Sequence, residues 1–180
     1  MPESSGSLPN VSPAGGPAAP ARGCGLHWGL WVLLLVVADQ ALKQWVAVAL
    51  ELGERIRLLP GFYITRAHNT GAAFSLLHDS GGWQRWFFVL LAIGVSGAIV
   101  WWLRTRPGAP YLLRAGLIFI LAGALGNLID RIGWGYVIDF VLIYLGTWPF
   151  PAFNLADSAI TVGAVLVVLD GLFPVQRPLR

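Results

Sequence analysis

The sequence predicts an all-α polytopic membrane protein with four transmembrane helices. Of its 180 residues, 56% are hydrophobic and only 12% are charged, against about 25% charged in an average soluble domain. Mean hydropathy is +0.67. Four apolar stretches approach the roughly 20 residues needed to cross a bilayer core about 30 Å thick. The nine tryptophans fit the same class, because indole favours the membrane–water interface.

Residues 1–25 are rich in Pro, Gly, Ser and Ala and show no apolar periodicity, so they read as a disordered N-terminal tail. No apolar core follows a basic region there, as a signal peptide would require. Cys24 is the single cysteine. It lacks a preceding apolar run and reads as an ordinary tail residue that cannot form an internal disulfide.

Leu26 to Leu50 is the first span, apolar apart from His27, Asp39, Gln40, Lys43 and Gln44. Asp39 and Lys43 stand four apart and share a helical face, where they can pair. Two readings stay open for them, a structural ion pair near the membrane surface or a chemical role.

From Glu51 the character changes. Arg55-Ile56-Arg57-Leu58 alternates with period two, Pro60-Gly61 signals a turn, and Phe62-Tyr63-Ile64-Thr65 follows. This predicts a β-hairpin outside the bilayer. His68 to Ser75 reads as a loop, with Asn69 and Gly71 suited to a turn and a short interfacial helix over Ala72 to Leu77. By composition alone Asn69 is either a turn former or a functional loop residue.

Trp86 to Leu103 carries no charge and forms the second span. Arg104, Arg106 and Arg114 then flank a Pro-Gly-Ala-Pro loop without an acid, which places that loop in the cytoplasm. Leu112 to Ile129 is the third span. Its Gly116, Gly123 and Gly126 permit close helix approach. Val137 to Leu145 is β-branched and aromatic and reads as a strand. Pro149 and Pro151 enforce a bent approach to the fourth span, Phe153 to Phe173. Four spans put both termini inside, residues 174–180 in a cytoplasmic tail, and the loops at about 51–82 and 131–152 outside.

Net charge is +3 without an arginine-rich run, which argues against nucleic acid as a partner. His27, His68 and His78 are too scattered, with one cysteine, to form a zinc site. No metal and no cofactor is expected, and the expected partners are membrane lipids, with the chain a monomer.

The chemistry concentrates between Gly126 and Ser158. This stretch holds three of the nine acids, Asp130, Asp139 and Asp157, in an otherwise apolar sequence. Charges in apolar surroundings cost several kcal/mol unless paired, so they mark a site. Asn127, Asp130 and Arg131 share one face at the outer end of span three. Arg131 has two open roles, holding an anionic lipid headgroup or fixing a carboxylate. Asn154 and Asp157 stand three apart at the start of span four. Asp139 and Asp157 therefore reach the bilayer surface on separate elements. A close carboxylate pair shares a proton and can activate water. The competing reading is that each caps or pairs locally, Asp157 as a charge at a helix N-terminus.

Five blocks carry a resemblance to a known family: ADQALK (Ala38 to Lys43), NTGAAFS (Asn69 to Ser75), GNLIDR (Gly126 to Arg131), VIDF (Val137 to Phe140) and FNLADS (Phe153 to Ser158). In this order and spacing the chain resembles lipoprotein signal peptidase, the type II signal peptidase, from about Leu26 to Phe173. The resemblance implies four transmembrane helices with a small extracytoplasmic β-cradle, in the bacterial inner membrane with the active site facing outward. It implies an aspartic endopeptidase that cleaves diacylglyceryl-modified prolipoproteins just before the lipidated cysteine and is sensitive to the cyclic peptide globomycin. Asp139 and Asp157 match the catalytic positions. Asp39, Lys43, Asn69, Gly71, Asn127, Asp130, Arg131 and Asn154 match positions that bind substrate or support the site.

Two other classes compete. A small transporter would use Asp39, Asp130, Asp139 and Asp157 as an ion relay spread through the bilayer depth. Three of these lie in the one outward-facing stretch, which disfavours a path across the membrane. An assembly protein would use the acids only to pair helices.

Overall fold

The structure, a computed structural model, describes residues 25–71 and 82–173. The expected N-terminal tail, the short helix over Ala72 to Leu77 and the tail over 174–180 fall outside the described residues. The elements run α1 (Gly25–Ala49), β1 (Arg55–Leu59), β2 (Phe62–Asn69), α2 (Trp83–Thr105), α3 (Tyr111–Gly133), β3 (Val137–Leu145), β4 (Trp148–Pro149) and α4 (Leu155–Leu172). All four helices among the described residues are long and apolar enough to cross a membrane.

The helices expose apolar side chains outward, as a bilayer requires. Leu30, Trp31, Leu33 and Leu34 of α1 and Val162, Val165 and Val168 of α4 are all exposed. Inside, Val32, Ile99, Leu103, Leu121 and Ala122 form a core joining α1, α2 and α3. The most extensive packing is α3 on α4, and glycine sets its closeness. A Cβ on Gly116 would stand 2.7 Å from the Gly163 carbonyl oxygen, and one on Gly123 would strike the Ala156 carbonyl. Small residues let membrane helices approach this way.

The strands form one antiparallel sheet in the order β1-β2-β3-β4. It adjoins the end of the bundle where α1 and α3 finish. Two arginines dock that end. Arg66 donates to the Ala47 and Leu50 carbonyls at 2.7 and 3.2 Å, and Arg85 donates to the Ile132 carbonyl at 2.9 Å. Both satisfy carbonyls that a helix C-terminus leaves unpaired.

Several boundaries differ from the sequence reading, three of them next to the polar cluster. β2 runs on through His68 and Asn69, because the edge that read as a loop pairs with β3 (His68 with Ile138, Asn69 with Val137). α3 continues through Asp130 and Arg131 to Gly133, because its last polar residues find partners within the protein. α4 begins at Leu155 rather than Phe153, since Phe153 is held in a bridge to Val141 of β3.

Candidate active site

Lys43 lies at the base of the site and is fully buried. An ammonium has three N–H donors, and Lys43 places all three. It bonds to Asp39 Oδ2 at 2.8 Å, Asp130 Oδ2 at 3.0 Å and Asn127 Oδ1 at 3.0 Å. The pairing of Asp39 with Lys43 expected from their spacing is thus one arm of a triad with Asp130. Burying such charges is tolerable only when each is paired and hydrogen-bonded.

The triad ties four elements together. Asp39 Oδ1 accepts from the Ala156 N–H at 2.9 Å, in the first turn of α4. Asp130 Oδ2 accepts from the Ile138 N–H of β3 at 3.2 Å. Gln40 donates to Asp130 Oδ1 at 2.9 Å and to the Gly126 carbonyl at 3.1 Å. Gly126 is glycine by necessity here, since a Cβ would stand 2.6 Å from Asp39 Oδ2.

Above this base are two asparagines whose orientation is fixed. Asn127 Oδ1 accepts from both Lys43 and Asn154. Its Nδ2 is therefore turned to donate to Asp157 Oδ1 at 2.8 Å. Asn154 is the N-cap of α4 and forms a capping box with Asp157. Its Oδ1 accepts from the Asp157 N–H at 2.9 Å, while Asp157 Oδ2 accepts from the Asn154 N–H at 3.2 Å. That leaves Asn154 Nδ2 to donate to Asp139 Oδ1 at 2.8 Å.

Asp139 comes from the middle of β3 and is 2% exposed. The segment before α4 is stitched to β3 beside it, through Phe140 and Val141 N–H bonds to the Phe153 carbonyl at 3.0 and 2.8 Å. Asn69 arrives from the other side. Ala67 pairs with Asp139, and Asn69, two residues on, shares its face of the sheet. Asn69 Nδ2 donates to Asp139 Oδ2 at 3.0 Å. The Gly71 N–H in turn holds Asn69 Oδ1 at 2.8 Å. Gly71 has φ 94°, and a Cβ there would stand 2.6 Å from the Phe88 ring.

Burial is the main reason that the Asp139 carboxyl is pushed up to about 7, with the nearby Asp157 charge adding to it. The asparagine bonds and Lys43 oppose this only in part. Asp139 and Asp157 are thus electrostatically coupled, and both are bound by one asparagine. A carboxyl held near neutrality beside a second carboxylate can exchange protons with water and with a leaving amine at ordinary pH.

All ten residues singled out from the sequence gather at the sheet end of the bundle. Arg131 is the least direct. It donates to the Asn127 carbonyl at 3.4 Å and lies 4.8 Å over the Phe88 ring, with the Asp157 and Asp139 carboxylates acting on its charge through space. Sequence reasoning gave no role to Gln40 or Phe88. Gln40 carried a signal, as an amide inside a hydrophobic span. Phe88 carried none, being one apolar residue among many.

Comparisons with known proteins point to one family. The model of the signal peptidase (SPase) II family matches residues 31–173. The lipoprotein signal peptidase of Shewanella woodyi is 51% identical over 148 residues, covering 82% of this chain and 84% of that protein. The lipoprotein signal peptidase of Pseudoalteromonas translucida is 50% identical over 151 residues, covering 83% and 90%. A bacterial membrane enzyme solved by the in meso method at 1.9 Å resolution superposes with a TM-score of 0.73 at 29% identity, covering 83% of this chain and 94% of that one.

Proposed function

The chain belongs to the signal peptidase II family, and on that premise we propose that Asp139 and Asp157 are the catalytic pair with which it removes signal peptides from prolipoproteins. The observation that carries the assignment is that Asn154 donates to two carboxyl groups from separate elements, its side-chain amide to Asp139 and its backbone N–H to Asp157, with the Asp139 carboxyl raised to about 7. Local capping alone explains Asp157, whose carboxylate closes the capping box of α4. It does not explain Asp139, buried mid-strand with no helix to cap.

The mechanism follows from the proton inventory. The ionised carboxylate takes a proton from water as the water oxygen bonds to the scissile carbonyl carbon. The protonated one gives its proton to the carbonyl oxygen. On collapse, one hydroxyl of the tetrahedral diol returns its proton to the pair as the C=O bond re-forms, the C–N bond breaks and the amine leaves with a proton from the pair, so the pair returns to a single shared proton. We assign the held proton to Asp139, whose buried carboxyl retains it near neutral pH.

The substrate reading is a prolipoprotein whose cysteine carries diacylglyceryl, cut just before that cysteine. The acyl chains would lie in the bilayer between helices, with the scissile peptide at the sheet end. Anchoring by lipid would convert a diffuse encounter into an oriented one. We read the protein as lying in the bacterial inner membrane. The acid-free Arg104 to Arg114 connection faces the cytoplasm and the aspartates face outward. The test is cleavage of lipid-modified prolipoprotein against the unmodified precursor at equal concentration. Faster cleavage of the modified form is expected, and equal rates would remove the lipid anchor from the mechanism.

A further inference from the structure

At the end of the bundle opposite the aspartates, the first turns of α1 and α3 enclose a cavity of about 670 Å³, within the roughly 300–1,000 Å³ common for small-molecule sites. Trp28, Trp31 and Leu35 of α1 face Ile118 and Phe119 of α3 across it. Its polar groups are confined to the level where the helices begin: His27, Tyr111 and Arg114. The apolar depth is therefore turned toward the bilayer centre and the polar rim toward the surface, which is the polarity of a phospholipid.

Arginine dominates the charge at this level. Arg104 and Arg106 precede Arg114 on the same connection, with no acid from residue 104 to residue 114. Neither α1 nor α3 has an acid in its first turn. Asp170 of α4 is the acid at this end among the described residues, and it does not line the cavity. Arg114 donates from Nη1 to the Pro107 carbonyl at 2.9 Å, a bond that helps to hold the guanidinium at the rim. Basic pockets between membrane helices on this side suit anionic headgroups, and guanidinium suits phosphate in particular.

We propose that the cavity between α1 and α3 is a binding site for one anionic glycerophospholipid of the leaflet opposite the aspartates. One acyl chain lies along Trp28, Trp31, Leu35, Ile118 and Phe119, and the phosphate meets Arg114. The site is separate from the carboxylate pair at the other end of the bundle and does not depend on its assignment.

Native mass spectrometry of the full-length protein tests this, after delipidation in detergent and titration with phosphatidylglycerol or phosphatidylethanolamine. Wild type is expected to retain one phosphatidylglycerol at concentrations where it retains no phosphatidylethanolamine. Arg114→Gln is expected to weaken phosphatidylglycerol roughly fivefold, as the loss of one interfacial charge implies, and Arg114→Lys to restore part of it. Ala115→Phe fills the cavity and is expected to abolish retention, with Ala109→Trp on the loop as a second blocking variant should the first not fold. Unfolding temperature in lipid-free detergent identifies folded variants. Equal retention of the two lipids by wild type would overturn the proposal. So would wild-type retention by a folded cavity-filling variant, or no retention by wild type, as expected if residues 1–24 occupy the cavity instead.

Discussion

Asn154 Nδ2 donates to Asp139 Oδ1 across 2.8 Å while Oδ1 of the same carboxamide caps the Asp157 N–H at 2.9 Å. One side chain thus sets both the start of α4 and the environment of a carboxyl on β3. Asn154→Ala is expected to cost about 0.5–2 kcal/mol as a lost cap and to lower cleavage roughly 10- to 100-fold by leaving a buried oxygen of the Asp139 carboxyl without its donor. Asn154→Ser keeps a capping acceptor but lacks the amide that donates to Asp139. Thermal unfolding and cleavage rates measured together separate the two roles. The Ser variant should recover stability without recovering activity.

The raised Asp139 carboxyl gives a pH dependence of definite sign. An unfolded aspartate titrates near 3.9, whereas Asp139 is raised to about 7. Between these values the folded protein holds a proton that the unfolded chain has released. Its contribution to stability is therefore fully present below about pH 4, is lost as pH rises to about 7, and is flat beyond. Unfolding temperature against pH should show this fall in wild type and lack it in Asp139→Asn. Cleavage by wild type should decline above about pH 7 as the shared proton is lost, with an apparent pKa that belongs to the pair.

Lys43→Met would leave Asp39 and Asp130 buried without their cation. Removing one partner of a buried ion cluster costs about 3–5 kcal/mol. Adding Asp39→Asn and Asp130→Asn should recover a large part of the loss, because an amide oxygen can still accept from Ala156 or Ile138. Chemical denaturation in detergent of the single and triple variants measures both quantities. No recovery in the triple variant would show that the charges were not the cause.

Much of this was legible in the sequence because membrane constraints are one-dimensional. Four apolar runs fixed the helices to within a few residues, and Val137 to Leu145 is the strand its β-branched and aromatic content predicted. Asp39, Lys43, Asp130, Asp139 and Asp157 stood out because a charge in an apolar run needs a reason. What stayed hidden depends on contacts between distant elements. His68 and Asn69 read as a loop because their pairing partner lies about seventy residues away on β3. The second arm of Lys43 could not be read, since i,i+4 spacing reveals Asp39 but not Asp130. The turning of Asn127 toward Asp157 is set by two donors from other helices or caps, which no local pattern encodes.

The contact between α3 and α4 predicts contrasting effects at two glycines. Gly123→Ala drives a Cβ into the Ala156 carbonyl, which is backbone and cannot yield. Overpacking of this kind costs about 1–3 kcal/mol, and displacing the first turn of α4 should lower activity as well, because that turn carries Asp157. A Cβ on Gly94 of α2 would meet nothing within 4 Å. Gly94→Ala should be neutral or stabilising by up to about 1 kcal/mol. Unfolding temperatures of the two variants, with cleavage rates, check the contrast.

The most direct test of the central claim is cleavage of a diacylglyceryl-modified prolipoprotein by wild type, Asp139→Asn and Asp157→Asn at equal folded amounts. The account predicts that each variant loses about 10²- to 10⁴-fold in rate, the usual contribution of a positioned acid or base, while still unfolding cooperatively in detergent. Cleavage at the wild-type rate by either variant would contradict it and remove that aspartate from the chemistry.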